Sequence, residues 1–390
     1  MRILQIIPSV SQVYGGPSQM VRGLSQALGL AGAEVTILTT NTNGDRGQPV
    51  LDVPLGVPIA EAGYEIRYFA NSPFRRYKFS LELLHWLNQH AREYDLAHIH
   101  ALFSPVSSGA AAIARHQKLP YVLRPLGTLD PADLRKKRWL KQLYALGLEA
   151  SNLRGAAALH FTSEQEAKIS ERFGAVTQDW IYPLGVHLPV ATLTPAEVRS
   201  CYQIPPDRPI ILFLSRIDPK KGLDLLIPAL EALAAQQDFH FLLAGSNPQD
   251  PDYERQIVQQ LQNSSLASRT AIAGFVSGGL KTSLLVAADL FVLPSYYENF
   301  GIAVAEAMAV GTPVVISDQV HIWQAIAQAQ AGWVCQCQVA SLRHTLEMAL
   351  QQAIERQTRG INAQHYAQTH FTWEAIASAL LTEYQVILKC

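Results

Sequence analysis

Residues 290–317 read L-F-V-L-P-S-Y-Y-E-N-F-G-I-A-V-A-E-A-M-A-V-G-T-P-V-V-I-S. The apolar run 290–293, ended by Pro294, predicts a buried parallel strand. A loop over 295–299 leads into a helix over 300–310, which Gly311 and Pro313 stop. The next strand begins over 314–316. The segment is a βαβ unit whose strand-to-helix loop carries Glu298.

Glu306 stands in a helix otherwise made of Phe, Ile, Ala, Val and Met, so it is expected in a buried setting. A carboxylate there is costly to desolvate unless paired or hydrogen-bonded. Chemistry alone leaves two readings: bonds to nearby backbone or a reach to solvent, and an acceptor for ligand hydroxyls. The helix start supports the second. The N–H groups of Phe300, Gly301 and Ile302 offer an anion site, and Gly301 admits close approach of a phosphate. Phosphate donors beside carboxylates that accept from hydroxyls suit a sugar nucleotide.

The run E-N-F-G-I-A-V-A-E-A-M-A-V-G-T-P-V-V resembles the E-x7-E signature of the retaining glycosyltransferases of family 4, which have the GT-B fold. Both the spacing from Glu298 to Glu306 and the G-x-P-V-V that follows fit. The likeness extends over most of the chain.

At 390 residues the chain exceeds one ordinary core, and two domains are expected. Apolar content of 48% with 16% charge indicates an ordered globular protein. No apolar run reaches the length of a spanning helix, and M-R-I-L-Q-I-I-P reads as a first strand over 2–7 rather than a leader, so a cytoplasmic protein is expected. Four cysteines without framework spacing suggest a reducing compartment, and Cys335-x-Cys337 lacks the second pair a metal site needs. Residues 1–190 carry 19 Lys and Arg against 15 Asp and Glu, the rest 12 against 17, so the basic half comes first. No nucleic-acid partner is expected.

After the first strand, Gly15-Gly16 precedes a helix over 18–31. This is not G-x-G-x-x-G, which removes the main support for a dinucleotide-binding dehydrogenase. The glycines suit either a close approach to phosphate or sugar, or a simple Gly-Pro turn. A strand over 34–40 is followed by Gly/Pro-rich loop over 41–63 and a helix over 80–92. The strand D-L-A-H-I-H, 95–100, sets His98 and His100 on one face, with His100 at the carboxyl end where α/β sheets bind ligands. After a strand over 120–124, Arg124, Thr128 and Asp130 are candidate acceptor contacts or plain turn residues. The helix containing Arg135, Lys136, Lys137, Arg138 and Lys141 around Trp139 is either a solvated face or an interfacial helix on anionic lipid. The cationic, aromatic stretch 74–79 in the same half favours the lipid reading.

A linker over 182–195 leads to a strand over 210–214 that delivers Arg216, and Lys221-Gly222 opens a helix. The two cations form an anion clamp, with Lys221 preferred over Lys220 because it precedes the glycine. Asp250-Pro251-Asp252 formally matches a D-x-D metal motif, but in a proline-rich turn it reads as a helix cap. A strand over 270–275 and a helix over 373–389 complete the outline.

The resemblance implies two Rossmann-like, doubly wound α/β domains facing each other across a cleft. The first is 1–188, completed by a C-terminal helix 373–390 that crosses back to it, and the second is 189–372. It implies a sugar nucleotide as donor, UDP first and GDP second, and no metal or other cofactor. Glu306 would hold the ribose hydroxyls, while Arg216, Lys221 and the 300–302 N–H groups would carry the diphosphate. Glu298, with Asn299 beside it, would grip the sugar, and His100 would face its anomeric side. Gly15 and Gly16 would face the donor, and backbone around Phe275 and Val276 would border the base. The implied acceptor is a glycan, a lipid-linked group or a small molecule, in polysaccharide or glycolipid synthesis. No residue is a convincing enzymic base, in keeping with the front-face mechanism proposed for that family. The family's linker commonly reads P-N-G-V-D, whereas this chain has Leu184 and His187 in place of Asn and Asp. Two rivals are a GT-B nucleotide-sugar epimerase and a non-catalytic sugar-nucleotide-binding protein. Intact Glu298, Glu306, Arg216 and Lys221 argue against the latter.

Overall fold

Short runs of Ile, Leu, Val and Phe that bury every residue, such as Ile210–Leu214 and Leu290–Leu293, can only be central strands covered on both faces. The computed structural model describes all residues except 45–47, 73–77, 136–137 and 390, and the side chains of Ala132 and Arg138. The chain divides into two units, Met1–Gly185 with Trp373–Cys390, and Val186–Thr372.

The first unit is built on strands β1 Arg2–Ser9, β2 Glu34–Thr40, β3 Pro58–Glu61, β4 Tyr64–Phe69, β5 Leu96–His100, β6 Tyr121–Arg124, β7 Ala158–Phe161 and β8 Asp179–Ile181. They lie in the order β3-β4-β2-β1-β5-β6-β7-β8. All neighbours are parallel except β3, which pairs antiparallel with β4 at the edge. β1 runs two residues past the expected stop. Pro8, which cannot donate to a ladder, is accommodated where the register with β2 shifts between Ile6 and Ser9. β3 was unexpected, because its Pro/Gly-rich surroundings hide the alternation of a short exposed edge strand. The first helix starts earlier than expected, spanning Gly16–Leu30 with Pro17 in its first turn. The helix expected over 80–92 spans Leu81–His90, where the Ser80 hydroxyl accepts from the Leu83 N–H at 3.2 Å.

The helix Trp373–Lys389 belongs to this unit. Its Ile376, Ala377, Leu380 and Tyr384 join Ile3, Leu24, Leu28, Leu96 and Val122 in one buried cluster. Trp373 leans on Gly23 and Gly185, where an added Cβ would stand 2.6 and 2.3 Å from its ring.

The second unit carries β9 Ile210–Leu214, β10 His240–Ala244, β11 Thr270–Gly274, β12 Leu290–Leu293, β13 Val314–Ser317 and β14 Gly332–Cys335. The sheet is wholly parallel in the order β11-β10-β9-β12-β13-β14. This doubly wound order reverses between β9 and β12, which puts the binding crevice of such a sheet at their carboxyl ends. Among the described residues, no helix is long and apolar enough to cross a membrane.

Candidate functional site

The loops leaving β9 and β12 meet at that reversal. Gly222 adopts φ +73°, and a Cβ there would lie 2.1 Å from the Pro294 carbonyl, so only glycine allows the contact. The Tyr296 N–H donates to the Lys220 carbonyl at 2.8 Å, and the Tyr296 hydroxyl donates to Asp224 at 2.7 Å. This close seating brings Lys221 against Glu298, and the two form an ion pair. The Glu298 backbone is itself fixed by bonds to Gln319 and His321 at 3.1 and 3.0 Å. Arg216 follows the same strand, is exposed, and forms no ion pair with any described residue.

The helix expected over 300–310 is shorter, Ile302–Ala309, with Gly301 at φ +80° as its cap. Gly301 is closely packed in the direction of a side chain, since a Cβ would meet Val304, Val320 and Glu298 at 3.1–3.4 Å. Phe300 therefore lies before the helix. Its ring is buried edge-on to Phe371, with centroids 5.3 Å apart. Among the described residues, the N–H groups of Phe300, Gly301 and Ile302 have no backbone acceptor, while Val304 and Ala305 both donate to the Gly301 carbonyl. Asn299 is half-buried in the loop between Glu298 and this cap.

Glu306 is buried in the second turn, and among the described residues its partner is a side chain rather than backbone. Lys281, in the first turn of the helix Gly278–Ala287, forms an ion pair with it. Burial raises the Glu306 carboxyl above its ordinary value, and Lys281 opposes that rise. Lys281 was not expected from the sequence. The signal was available: it is the single charge in G-G-L-K-T-S-L-L-V-A, as Glu306 is in its own helix. Just before it, Phe275 is exposed and Val276 buried, between Gly274 and Gly278, both at positive φ.

In the first unit Gly15 takes φ +67° as the cap of Gly16–Leu30, and no atom lies within 4 Å of a Cβ built on it. Backbone conformation, and not crowding, demands glycine there. His100 ends β5 as expected and is wholly buried. Its Nε2 lies 2.6 Å from Gln5 Oε1, and its ring stacks on His98 at 4.6 Å. His98 also meets the Tyr384 hydroxyl at 2.7 Å and neighbours His160 at 5.2 Å. Burial holds all three imidazoles well below their ordinary value, and Arg124 adds to the effect.

The three acceptor candidates, Arg124, Thr128 and Asp130, are engaged within the first unit. Arg124 is buried, its Nη1 is 3.3 Å from Met20 Sδ, and burial pushes its pKa down to about 10. The Thr128 hydroxyl donates to the Pro125 carbonyl at 2.7 Å, and Asp130 is buried at the turn opening the Pro131–Leu134 helix. Both serve the local turn. Of the basic helix, Lys136 and Lys137 lie outside the described residues, as do residues 74–77 of the aromatic stretch. Lys141 is tied to Asp133 at 2.6 Å. In the second unit Asp250 caps the helix Pro251–Gln262, accepting from the Tyr253 N–H, and Asp252 pairs with Arg255. The thiols of Cys335 and Cys337 each meet a backbone carbonyl at 3.4 Å.

Two family models match the chain: "Glycosyl transferase 4-like domain" over residues 15–181 and "Glycosyl transferases group 1" over residues 196–366. A D-inositol 3-phosphate glycosyltransferase of Jonesia denitrificans is 25% identical over 95% of this chain and 91% of its own. An uncharacterised glycosyltransferase of Methanocaldococcus jannaschii is 29% identical, but the match takes in only about half of each protein, 49% and 48%. Among solved structures, sucrose-phosphate synthase from Thermosynechococcus elongatus superposes with a TM-score of 0.78 at 24% identity, covering 100% and 99% of the two chains. HepE of Anabaena, solved in complex with UDP-glucose, gives 0.76 at 18% identity over 99% and 100%. The paired Rossmann-like sheets are those of the GT-B fold, and the chain belongs to the group 1 glycosyltransferases of family 4.

Proposed function

We propose that this glycosyltransferase moves a sugar from a nucleoside diphosphate donor, a UDP-sugar first and a GDP-sugar second, with retention at the anomeric carbon. The observation that carries the reading is the order of groups around the helix Ile302–Ala309. Lys221 of the β9 loop and N–H groups without backbone acceptors among the described residues flank its start, Glu298 precedes it, Glu306 lies inside it, and exposed Arg216 leaves the same β9 strand. Arg216, Lys221 and those N–H groups take the diphosphate, Glu306 accepts from the ribose hydroxyls, and Glu298 accepts from the sugar. In the transfer step the bond from the anomeric carbon to the diphosphate oxygen breaks, and the diphosphate leaves with the electron pair. The acceptor oxygen bonds the same face of the sugar, and its proton passes to the departing phosphate oxygen. Clamped cations stabilise that developing charge without a metal. The UDP-glucose complex of HepE supports uridine as the first base to test.

The acceptor is proposed to be lipid-linked and met at the cytoplasmic face of an anionic membrane. Trp139, Leu140, Leu143 and Leu146 are 45–71% exposed along Arg138–Tyr144 and the turn after it, next to exposed Arg135. Such a row can enter the interface while the cation meets anionic headgroups.

Purified protein is incubated with UDP- and GDP-sugars, with and without lipid extract, and the anomeric configuration of any product is read by NMR. Transfer with retention is expected. Nucleotide release with an epimerised free sugar and no acceptor product would replace this reading with the epimerase. Sedimentation with anionic and neutral liposomes tests the surface, and equal negligible binding removes the membrane part alone.

A further inference from the structure

We infer that Lys281 is a positioning residue of the donor site, holding the carboxylate of Glu306 so that it presents an oxygen to a nucleoside diol. The inference rests on the reading of Glu306 as the ribose acceptor and adds a residue that reading does not contain.

Lys281 pairs with one oxygen, Oε1, while no donor among the described residues reaches Oε2. Both side chains are largely withdrawn from water, 13% and 6% exposed. A carboxylate offers about four lone-pair sites, so one ammonium leaves room for two hydroxyl donors. A side chain with three rotatable torsions would otherwise sample several orientations, and the pair fixes one. The pair also decides which form of the acid is present. A diol donates to both oxygens of a carboxylate, whereas a protonated acid has turned one oxygen into a donor.

The helix Ile302–Ala309 packs against β12, β13, and the helices Gly278–Ala287 and Ala353–His370. The two strands carry no ionisable group, and Lys281 is the only one on Gly278–Ala287. On Ala353–His370, Arg359 is bound to Glu355, Arg356 to the carbonyls of Ala349 and Leu350, and His370 to Tyr366 and Thr369, while His365 is exposed. Among the described residues of these elements, Lys281 alone pairs with Glu306. Burial already raises that carboxyl, and Lys281 is the opposing influence. Without it the acid stays protonated to higher pH, so diol binding should be lost at low pH and return as pH rises.

The test is calorimetry of UDP and GDP with wild type, Lys281→Met, Lys281→Gln, Lys281→Arg, Glu306→Gln and the double variant Lys281→Met/Glu306→Gln, at pH 6.0 and 8.5. For the nucleotide that wild type binds, Lys281→Met and Lys281→Gln should be about 10-fold or more weaker at pH 6.0, with the gap narrowing at pH 8.5. Lys281→Arg should stay near wild type. The double variant should match Glu306→Gln and show no such recovery. The 2′,3′-dideoxy nucleotide should bind wild type and Lys281→Met alike. If Glu306→Gln weakens binding while both neutral Lys281 variants follow wild type at both pH values, the inference is overturned and the ribose reading stands. If Glu306→Gln binds as wild type does, the ribose reading itself fails, and the inference with it. Recovery of a single folded variant with pH separates positioning from mere loss of a structural brace.

Discussion

The two domains treat buried cations in opposite ways. In the second, Lys221 and Lys281 each meet a carboxylate, Glu298 and Glu306. In the first, Arg124 ends the inner strand β6, and no carboxylate among the described residues lies at ion-pair distance from it. Its Nε and Nη2 have no partner among the described residues, and its neighbours are three imidazoles kept neutral by burial. The largest influence favouring its charge is Glu166, whose oxygens are already occupied by the Gly127 N–H and by Thr162. A paired charge can be handed to a ligand, because the partner left behind finds a ligand group of its own. An unpaired buried charge is carried by the fold at a cost.

The first domain should therefore be the acid-sensitive one, and this is the largest effect expected. His98, His100 and His160 have folded values below the unfolded one, so the unfolded state binds more protons once pH falls below about 6.5. Stability is full above that pH and falls on acidification, by up to about 4 kcal/mol per pH unit for three such groups. Urea midpoints from pH 8 to pH 5.5 measure it. A slope unchanged by His98→Gln would show that the cluster does not set the acid limit.

The paired side is probed next through the cations themselves. Arg216→Ala or Lys221→Ala should lower kcat/KM by roughly 100-fold or more, since each charge meets the leaving group as it forms. Steady-state kinetics with the full donor decide it. Somewhat smaller is the split between the two carboxylates. Glu306→Gln should weaken free nucleotide diphosphate about 10- to 150-fold, the loss of a charged hydrogen bond of about 1.5–3 kcal/mol. Glu298→Gln should leave that affinity nearly intact and reduce transfer. Equal weakening by both would reverse the assigned polarity of the site.

Arg124→Met sharpens the contrast directly. With no ion pair to break, the change should raise the thermal midpoint, by about 1 kcal/mol in stability or more. A marked loss would show that the guanidinium is held by more than its contacts suggest. The smallest effect expected is that of EDTA on transfer, near zero. Loss restored by Mn²⁺ or Mg²⁺ would overturn the capping reading of Asp250 and Asp252.

What the sequence made legible follows from range. The strands and helices around residues 290–317 depend on local apolar runs and on Gly and Pro, so their order and the E-x7-E loop could be read directly. Gly301 and Gly222 were visible as punctuation, but the close approach of Gly222 to Pro294 depends on β9 and β12 pairing from far apart in sequence and could not be. The ion pair of Lys281 with Glu306 was half legible, because each stands alone in an uncharged helix and only the sheet brings them together. His100 and Arg124 were rightly set at strand ends. Their depth was hidden, because burial comes from Gln5, Met20 and Tyr384, which are distant in the chain.

The helix Trp373–Lys389 also dictates an order of events during synthesis. The first domain begins with residue 1, yet its Ile3, Leu24 and Val122 cluster is closed by Ile376, Leu380 and Tyr384. A nascent chain emerging from the ribosome can complete the sheet of the second domain while the first still exposes that apolar face. The N-terminal domain is thus the last to be sealed, and stalled or truncated translation products would carry a ready surface for chaperones and for aggregation.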